Sequence, residues 1–276
     1  MSAILVTGAS GFLGRALAAA LAARHEVLAI GRKDPEVKGI TWVRGDFTSP
    51  GGLDPLGSRK VDAVVHLAAV TGGCSERDGI LVNVEGTRGL MRHLVDRGCR
   101  KFVMASSIAA VGFQSLRFRP LQVPIPDEHP CLDRDAYGLS KFLMEEITKY
   151  HHRQNPDLDV TNLRLAAIAP DEKMPAPVGA IPLPEWGLGH ITVMARSDAV
   201  RAFTLAVESP HRPGVRILNA VAPRAWTARP VAEILGAWWG NDVDLSHYRQ
   251  KGHEYDSAYD ARRIGQELGF VAQRLP

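Results

Sequence analysis

The chain has 276 residues, with 33 Lys plus Arg against 30 Asp plus Glu and a formal charge of +3. At about 150 residues per domain, this length fits two folding units or one large α/β unit with an appendage. With 45% apolar and 23% charged residues the composition excludes a disordered chain, and so small a charge surplus excludes nucleic acid and membrane surfaces as partners, so any positive site must be local.

In chain order, Ala3–Thr7 reads as a strand and Gly11–Arg24 as an Ala/Leu-rich helix. Strands follow over Glu26–Ile30, Thr41–Arg44 and Val61–His66, then a helix from Asp78 to Arg97 and a strand over Lys101–Ser106. After a Pro-rich loop, Ala136–Gln154 is a helix and Asp159–Leu165 a strand. Near-continuous apolar strands separated by helices indicate a parallel sheet covered on both faces, an α/β fold of the Rossmann-type, doubly wound kind.

The last third differs. Pro170, Pro175, Pro177, Pro182 and Pro184 exclude a helix or a central strand there. Ser197–Glu208 then reads as a helix with Ser197 as N-cap, Val215–Asn219 as a late strand of the main sheet, and Thr227–Trp239 and Ala261–Leu268 as short helices. The expected division is a dinucleotide-binding domain over 1–170, with 196–219 returning to it, and a small substrate-binding lobe built from 171–195 and 220–276.

The N-terminus enters a strand at once, with no basic n-region or cleavage site, and Gly11–Leu21 contains Arg15 and is too short to span a bilayer. Cys74, Cys99 and Cys131 are odd in number and form no CxxC pair, which suits a reducing cytoplasm as the expected location. No metal ligands are assigned; His151 and His152 sit late in a helix, where imidazoles interact with its C-terminal end. Trp226, Trp238 and Trp239 read as core of the second lobe or as an oligomer face.

Chemistry concentrates at two places. Gly8-Ala-Ser-Gly11-Phe-Leu-Gly14 lies where the first strand meets the first helix, which brings backbone N–H groups and a positive helix end to a pyrophosphate. Its spacing is GxxGxxG rather than the GxGxxG of the dinucleotide fingerprint. The second strand ends Ile30-Gly31-Arg32-Lys33, with Asp34 displaced into a turn before Pro35. Two adjacent cations suit a 2′-phosphate, so NADP is the expected cofactor and NAD the alternative. Tyr137 and Lys141 stand four residues apart on one helix face, where an ammonium would pull the phenol from its ordinary pKa of about 10 toward neutrality. Ser107, just after its strand, is placed to bond the same substrate oxygen.

Together these residues resemble the extended short-chain dehydrogenase/reductase family, in its NAD(P)-dependent epimerase/dehydratase branch. The resemblance rests on Thr7–Gly14, Gly45-Asp46-Phe47, His66-Leu67-Ala68-Ala69, Asn83-Val84-Glu85-Gly86-Thr87, Ala105-Ser106-Ser107, Tyr137-Gly138-Leu139-Ser140-Lys141, Arg164-Leu165 and Ser197-Asp198, in family order over about 3–205. Tyr259-Asp260-Ala261 to Glu267-Leu268-Gly269-Phe270 is a weaker echo.

The resemblance implies that Gly8, Gly11, Phe12, Leu13 and Gly14 hold the pyrophosphate and Arg32 faces the adenosine ribose. Asp46 and Phe47 would meet the adenine, Leu67, Ala68 and Ala69 run under the nicotinamide ribose, and Ile168 within 167–170 pass near the nicotinamide. Tyr137 would be the general acid/base, Lys141 would bind the ribose and lower the Tyr pKa, and Ser107 would orient the substrate oxygen. Where dehydratases of the family carry an Asp-Glu pair, this chain has Ile108-Ala109, which exchange no protons, so dehydration is disfavoured. The family's tyrosine-glycine is Val111-Gly112 here.

Arg117, with Arg119 around Phe118, and Arg196 are candidate substrate-binding residues for a carboxylate or diphosphate. The leading expectation is an oxidoreductase interconverting a secondary alcohol and a ketone on a small polar or sugar-like substrate. A nucleotide-sugar 4-epimerase using the same Ser-Tyr-Lys set is the second, and a dinucleotide-sensing regulator without catalysis the third. A homodimer through helices 78–97 and 136–154 is what the resemblance suggests.

Overall fold

The computed structural model describes residues 2–112, 117–132, 134–179 and 188–276; Pro182 and Pro184 of the proline-rich stretch lie outside them. Seven parallel strands form the main sheet: β1 (Ala3–Thr7), β2 (Glu26–Gly31), β3 (Thr41–Arg44), β4 (Ala63–His66), β5 (Lys101–Ser107), β6 (Asp159–Leu165) and β9 (Gly214–Ala220). Their order is β3-β2-β1-β4-β5-β6-β9, so the winding reverses between β1 and β4 and leaves a crevice at their C-terminal ends.

Alternation along each strand fills both faces. Ile4 and Val6 of β1, Val65 of β4 and Val103 of β5 enter one buried cluster, with Leu17 and Leu21 of α1 (Phe12–Ala22) and Phe203 of α5 (Arg196–Glu208). Leu5, Val64, Phe102 and Met104 point the other way, against Leu90, Met91 and Leu94 of α3 (Gly86–Val95) and Met144 of α4 (Ala136–Gln154). The first cluster continues without a break into Trp239 of α6 (Val231–Trp239), Tyr248, Tyr259, Ile264 of α7 (Arg262–Leu268) and Phe270. Trp239 is buried in that core, and Trp226 is buried as well.

Several elements depart from the sequence reading for identifiable reasons. The helix expected from Asp78 opens as α2 (Glu76–Asp78) and passes through a π-helical turn, Gly79–Glu85, before α3. That turn aims Asn83 inward, where its amide bonds Val70 O and Ser140 Oγ, both at 2.9 Å, and its oxygen accepts from Val70 N at 2.9 Å. Residues 227–230 are not helical, because Thr227 Oγ1 accepts from Arg229 N at 3.0 Å and Pro230 precedes the first helical residue. Ser197 does not cap α5. Its N–H donates to Asp171 Oδ2 at 3.1 Å, so a carboxylate from another segment closes that helix end. A second sheet, not expected, pairs β7 (Ala167–Ala169) with β8 (Val193–Ala195) in parallel.

Candidate functional site

A cavity of about 630 Å³ occupies the crevice, and the glycine turn forms its inner wall. Gly8 has φ +71°, and a Cβ there would lie 2.7 Å from Ala68 N. A Cβ on Gly14 would lie 2.0 Å from Gly8 O, so α1 approaches the turn as closely as only glycine permits. Gly11 N donates to Gly8 O at 3.0 Å. The N-terminus of α1 has no side-chain cap and no acid in its first turn. Orphan N–H groups and the positive helix end therefore face the cavity, the arrangement that a pyrophosphate satisfies.

Gly11, Phe12, Leu13, Arg32, Asp46, Phe47, Leu67, Ala68, Ala69 and Ile168 all line this cavity with Gly8 and Gly14. At the β2 end, Arg32, Lys33 and Pro35 line it, whereas the Asp34 carboxylate turns back to accept from Glu36 N at 2.8 Å. The Asp46 carboxyl lies below its usual range: burial pushes it up, but hydrogen bonds from the Thr48 side chain and backbone and the charge of Arg32 outweigh that. Ala68 N donates to Thr7 Oγ1 at 3.2 Å, fixing the wall at Leu67–Ala69.

At the other end the structure brings Ser107, Tyr137 and Lys141 together on the cavity wall. Ser107 is the last residue of β5; its Oγ accepts from Ala109 N at 3.1 Å and faces the cavity with the Tyr137 phenol, whose pKa it draws down. Tyr137 lies in the first turn of α4, which Asp135 caps by accepting from Gly138 N at 2.8 Å. One turn on, buried Lys141 donates from Nζ to Ala105 O at 2.7 Å and lies 5.7 Å from the Tyr137 ring centroid.

The electrostatics correct the sequence argument. Desolvation pushes the Tyr137 phenol up to about 12, with Ser107 pulling the other way. Lys141 itself is pushed down to about 8, by burial first, with Glu145 opposing. Behind it, Glu145 accepts from Ser106 Oγ at 2.6 Å and from Arg164 Nε at 2.9 Å and Nη2 at 2.8 Å, a buried ionic network under the end of β5.

Two predicted residues fall elsewhere. Arg117 is exposed and does not line the cavity. Arg196 sits on the outer side of the glycine turn, 5.0 Å from the Phe12 ring centroid, with Nη2 3.2 Å from Glu172 Oε2. Arg119 pairs with Asp242 at 3.0 Å. Ile108 and Ala109 are buried.

The structure also gives parts to Asn83 and His66, for which the sequence suggests no role beyond the motifs that contain them. Asn83 ties the loop after β4 to α4, and a lone amide in the run Ile80-Leu81-Val82-Asn83-Val84 was the available signal. His66 is wedged between Thr7 Oγ1 at 2.7 Å from Nδ1 and Thr87 Oγ1 at 3.0 Å from Nε2. Thr87 spends its proton on Asn83 O at 2.6 Å, so the network assigns the hydrogen to Nε2. Burial, then the charge of Lys141, hold this imidazole down to about 3, keeping it neutral.

Residues 4–181 match the model of the NAD dependent epimerase/dehydratase family. The chain is similar to UDP-glucose 4-epimerase 2 of Oryza sativa subsp. japonica, at 28% identity over 182 residues, covering 58% of this chain and 43% of that protein. It is 29% identical over 188 residues to D-erythronate dehydrogenase of Cupriavidus necator, covering 60% and 55%. The chain spans about half the length of the curated relatives it matches. A short-chain dehydrogenase/reductase superfamily protein from Agrobacterium tumefaciens, solved with bound NAD, shares the fold with TM-score 0.72 at 23% identity, covering 99% and 93%. Among the described residues, no helix is long and apolar enough to cross a membrane.

Proposed function

Because the chain belongs to the NAD dependent epimerase/dehydratase family, whose enzymes work with a nicotinamide cofactor, we propose that it is an oxidoreductase interconverting a secondary alcohol and a ketone on a small polar or sugar-like substrate. The observation that carries this reading is the meeting of Ser107, Tyr137 and buried Lys141 on the wall of one cavity with an uncapped helix N-terminus. When bound, the cofactor supplies the hydride acceptor or donor. Tyr137 Oη gives or takes the proton at the substrate oxygen, and Ser107 Oγ holds that oxygen in line. Lys141 keeps a positive charge beside the Tyr137 ring and would bond the cofactor ribose. The Gly8–Gly14 turn anchors the pyrophosphate. Dehydration has no support, since the residues following Ser107 carry no acid or base.

NADP is the proposed preference, supported by Arg32 and Lys33 on the cavity wall and by the withdrawal of Asp34. A relative named D-erythronate dehydrogenase supports the oxidoreductase reading. Relatives named UDP-glucose 4-epimerase favour a second reading, a 4-epimerase that retains its cofactor through turnover. Exposed Ile80, Leu81 and Tyr150 on the helical stretches 76–95 and 136–154 support the homodimer.

The test is an absorbance screen at 340 nm pairing NADP and NAD with sugars, aldonic and uronic acids and hydroxy acids, after assay for copurified cofactor. Turnover that Tyr137→Phe abolishes, with cofactor affinity nearly intact, is the expected result. Undiminished turnover in that variant overturns the mechanism, and stoichiometric tightly held NAD without net redox turnover replaces it with the epimerase.

A further inference from the structure

A second cavity, of about 700 Å³, shares no lining residue with the first and is walled by residues of the loop around Pro124, by Val221 and Pro223, and by residues of the C-terminal segment between His247 and Val271. On its wall, His247, His253 and Asp256 turn one donor atom each toward a common point. The three atoms lie within 4.8 Å of one another. His253 Nδ1 is 2.7 Å and His247 Nε2 2.9 Å from the same oxygen, Asp256 Oδ2.

We propose that these three residues bind a divalent transition-metal ion, zinc by preference, at a site separate from the dinucleotide cavity. Two imidazoles and one carboxylate are a donor set that suits zinc and excludes calcium and magnesium, which take oxygen donors. Tetrahedral zinc with bonds of about 2.0–2.2 Å places its donors about 3.4 Å apart. To admit it, the separation from Asp256 Oδ2 must widen by about 0.7 Å for His253 and about 0.5 Å for His247, within reach of small side-chain rotations of the two imidazoles, neither of which is buried.

The backbone holds the donors in place before any ion arrives. His247 lies on a short 3-10 turn, Ser246–Arg249, whose neighbour Tyr248 is buried and donates its hydroxyl to Ser257 O at 3.1 Å. Asp256 stands on an antiparallel bridge to Arg224, flanked by Ala225 N to Tyr255 O and Ser257 N to Pro223 O, both 2.9 Å. Gly252, at φ +92°, makes the turn that returns His253 to His247. Arg262 on the same wall does not compete for Asp256, because its guanidinium holds both oxygens of Asp260, with Nε at 3.0 Å from each. Three protein donors leave a fourth position for water or a small anion, and the donors line the cavity from which such a ligand would come.

Isothermal titration of the untagged, chelator-treated full chain with zinc chloride tests the proposal. One zinc per chain is expected, with micromolar or tighter affinity, weakened at least tenfold by His253→Ala and abolished by His247→Ala with His253→Ala. No stoichiometric binding overturns it, as does binding that the double variant retains. Cobalt substitution in the unaltered chain gives a readout that does not depend on the variants folding. Weak visible bands without thiolate charge transfer support the site, whereas thiolate absorption assigns the ion to cysteine and refutes it.

Discussion

Replacing Lys141 by Met is expected to stabilise the cofactor-free protein at neutral pH while removing its turnover. The side chain is 3% exposed, and burial brings its ammonium from an ordinary 10.5 down to about 8. That gap corresponds to a penalty of about 3 kcal/mol on the ionised form below pH 8. Met fills a similar volume without charge, but loses the bond to Ala105 O, worth about 1.5 kcal/mol for a charged donor. The net expectation is a gain of about 1–2 kcal/mol at pH 7. A lysine whose folded pKa is depressed binds fewer protons folded than unfolded between pH 8 and 10.5, so wild-type stability rises with pH across that window. The variant lacks this rise, and every other titrating group is common to both proteins. The advantage of the variant therefore shrinks by about 2 kcal/mol between pH 7 and pH 9.5. Urea unfolding at the two pH values measures it. A variant less stable at pH 7, with a difference that does not change at pH 9.5, refutes the reasoning that the buried charge is a cost retained for chemistry.

Gly14→Ala forces a Cβ to within 2.0 Å of Gly8 O, a clash with backbone that no rotamer relieves; a loss of about 3 kcal/mol and at least a tenfold weaker dinucleotide Kd are expected, and unchanged Tm and affinity would remove the close-packing argument. Arg32→Ser should weaken NADP at least tenfold and NAD less than twofold by fluorescence titration; equal losses for both cofactors would count against the 2′-phosphate role. Glu145→Gln leaves the Arg164 guanidinium buried without its anion and should cost about 3–5 kcal/mol. Adding Arg164→Met should restore most of that in urea unfolding, and strictly additive losses would show that the two charges are not coupled.

The sheet was legible because its signals are local. Runs such as Ile4-Leu5-Val6 and Val103-Met104-Ala105 are apolar at every position, and only a strand buried on both faces needs that. The glycine turn and the Tyr137/Lys141 pair were legible for the same reason, since the strand-to-helix junction and the helical repeat of four residues place them without reference to distant chain. The positions of the candidate arginines, Arg117 and Arg196, were not legible. A guanidinium is equally at home on a surface, in an ion pair or in a site, and Arg196 found Phe12 and Glu172 through folding. Nothing beside Ser197 in sequence foretells that Asp171, 26 residues earlier, takes its amide.

Composition, periodicity and motif spacing by themselves determined the α/β class, the strand sequence from β1 to β6 and the glycine turn, because those depend on interactions within a few residues. Only tertiary structure decided the protonation landscape. The Tyr137 phenol rises and the Lys141 and His66 side chains fall because separate elements enclose them together and exclude water, and desolvation is a property of the enclosure rather than of any segment. The meeting of His247, His253 and Asp256 was decided likewise: His253 and Asp256 stand three residues apart, but it takes the bridge to Arg224 and the turn at Gly252 to bring them to His247.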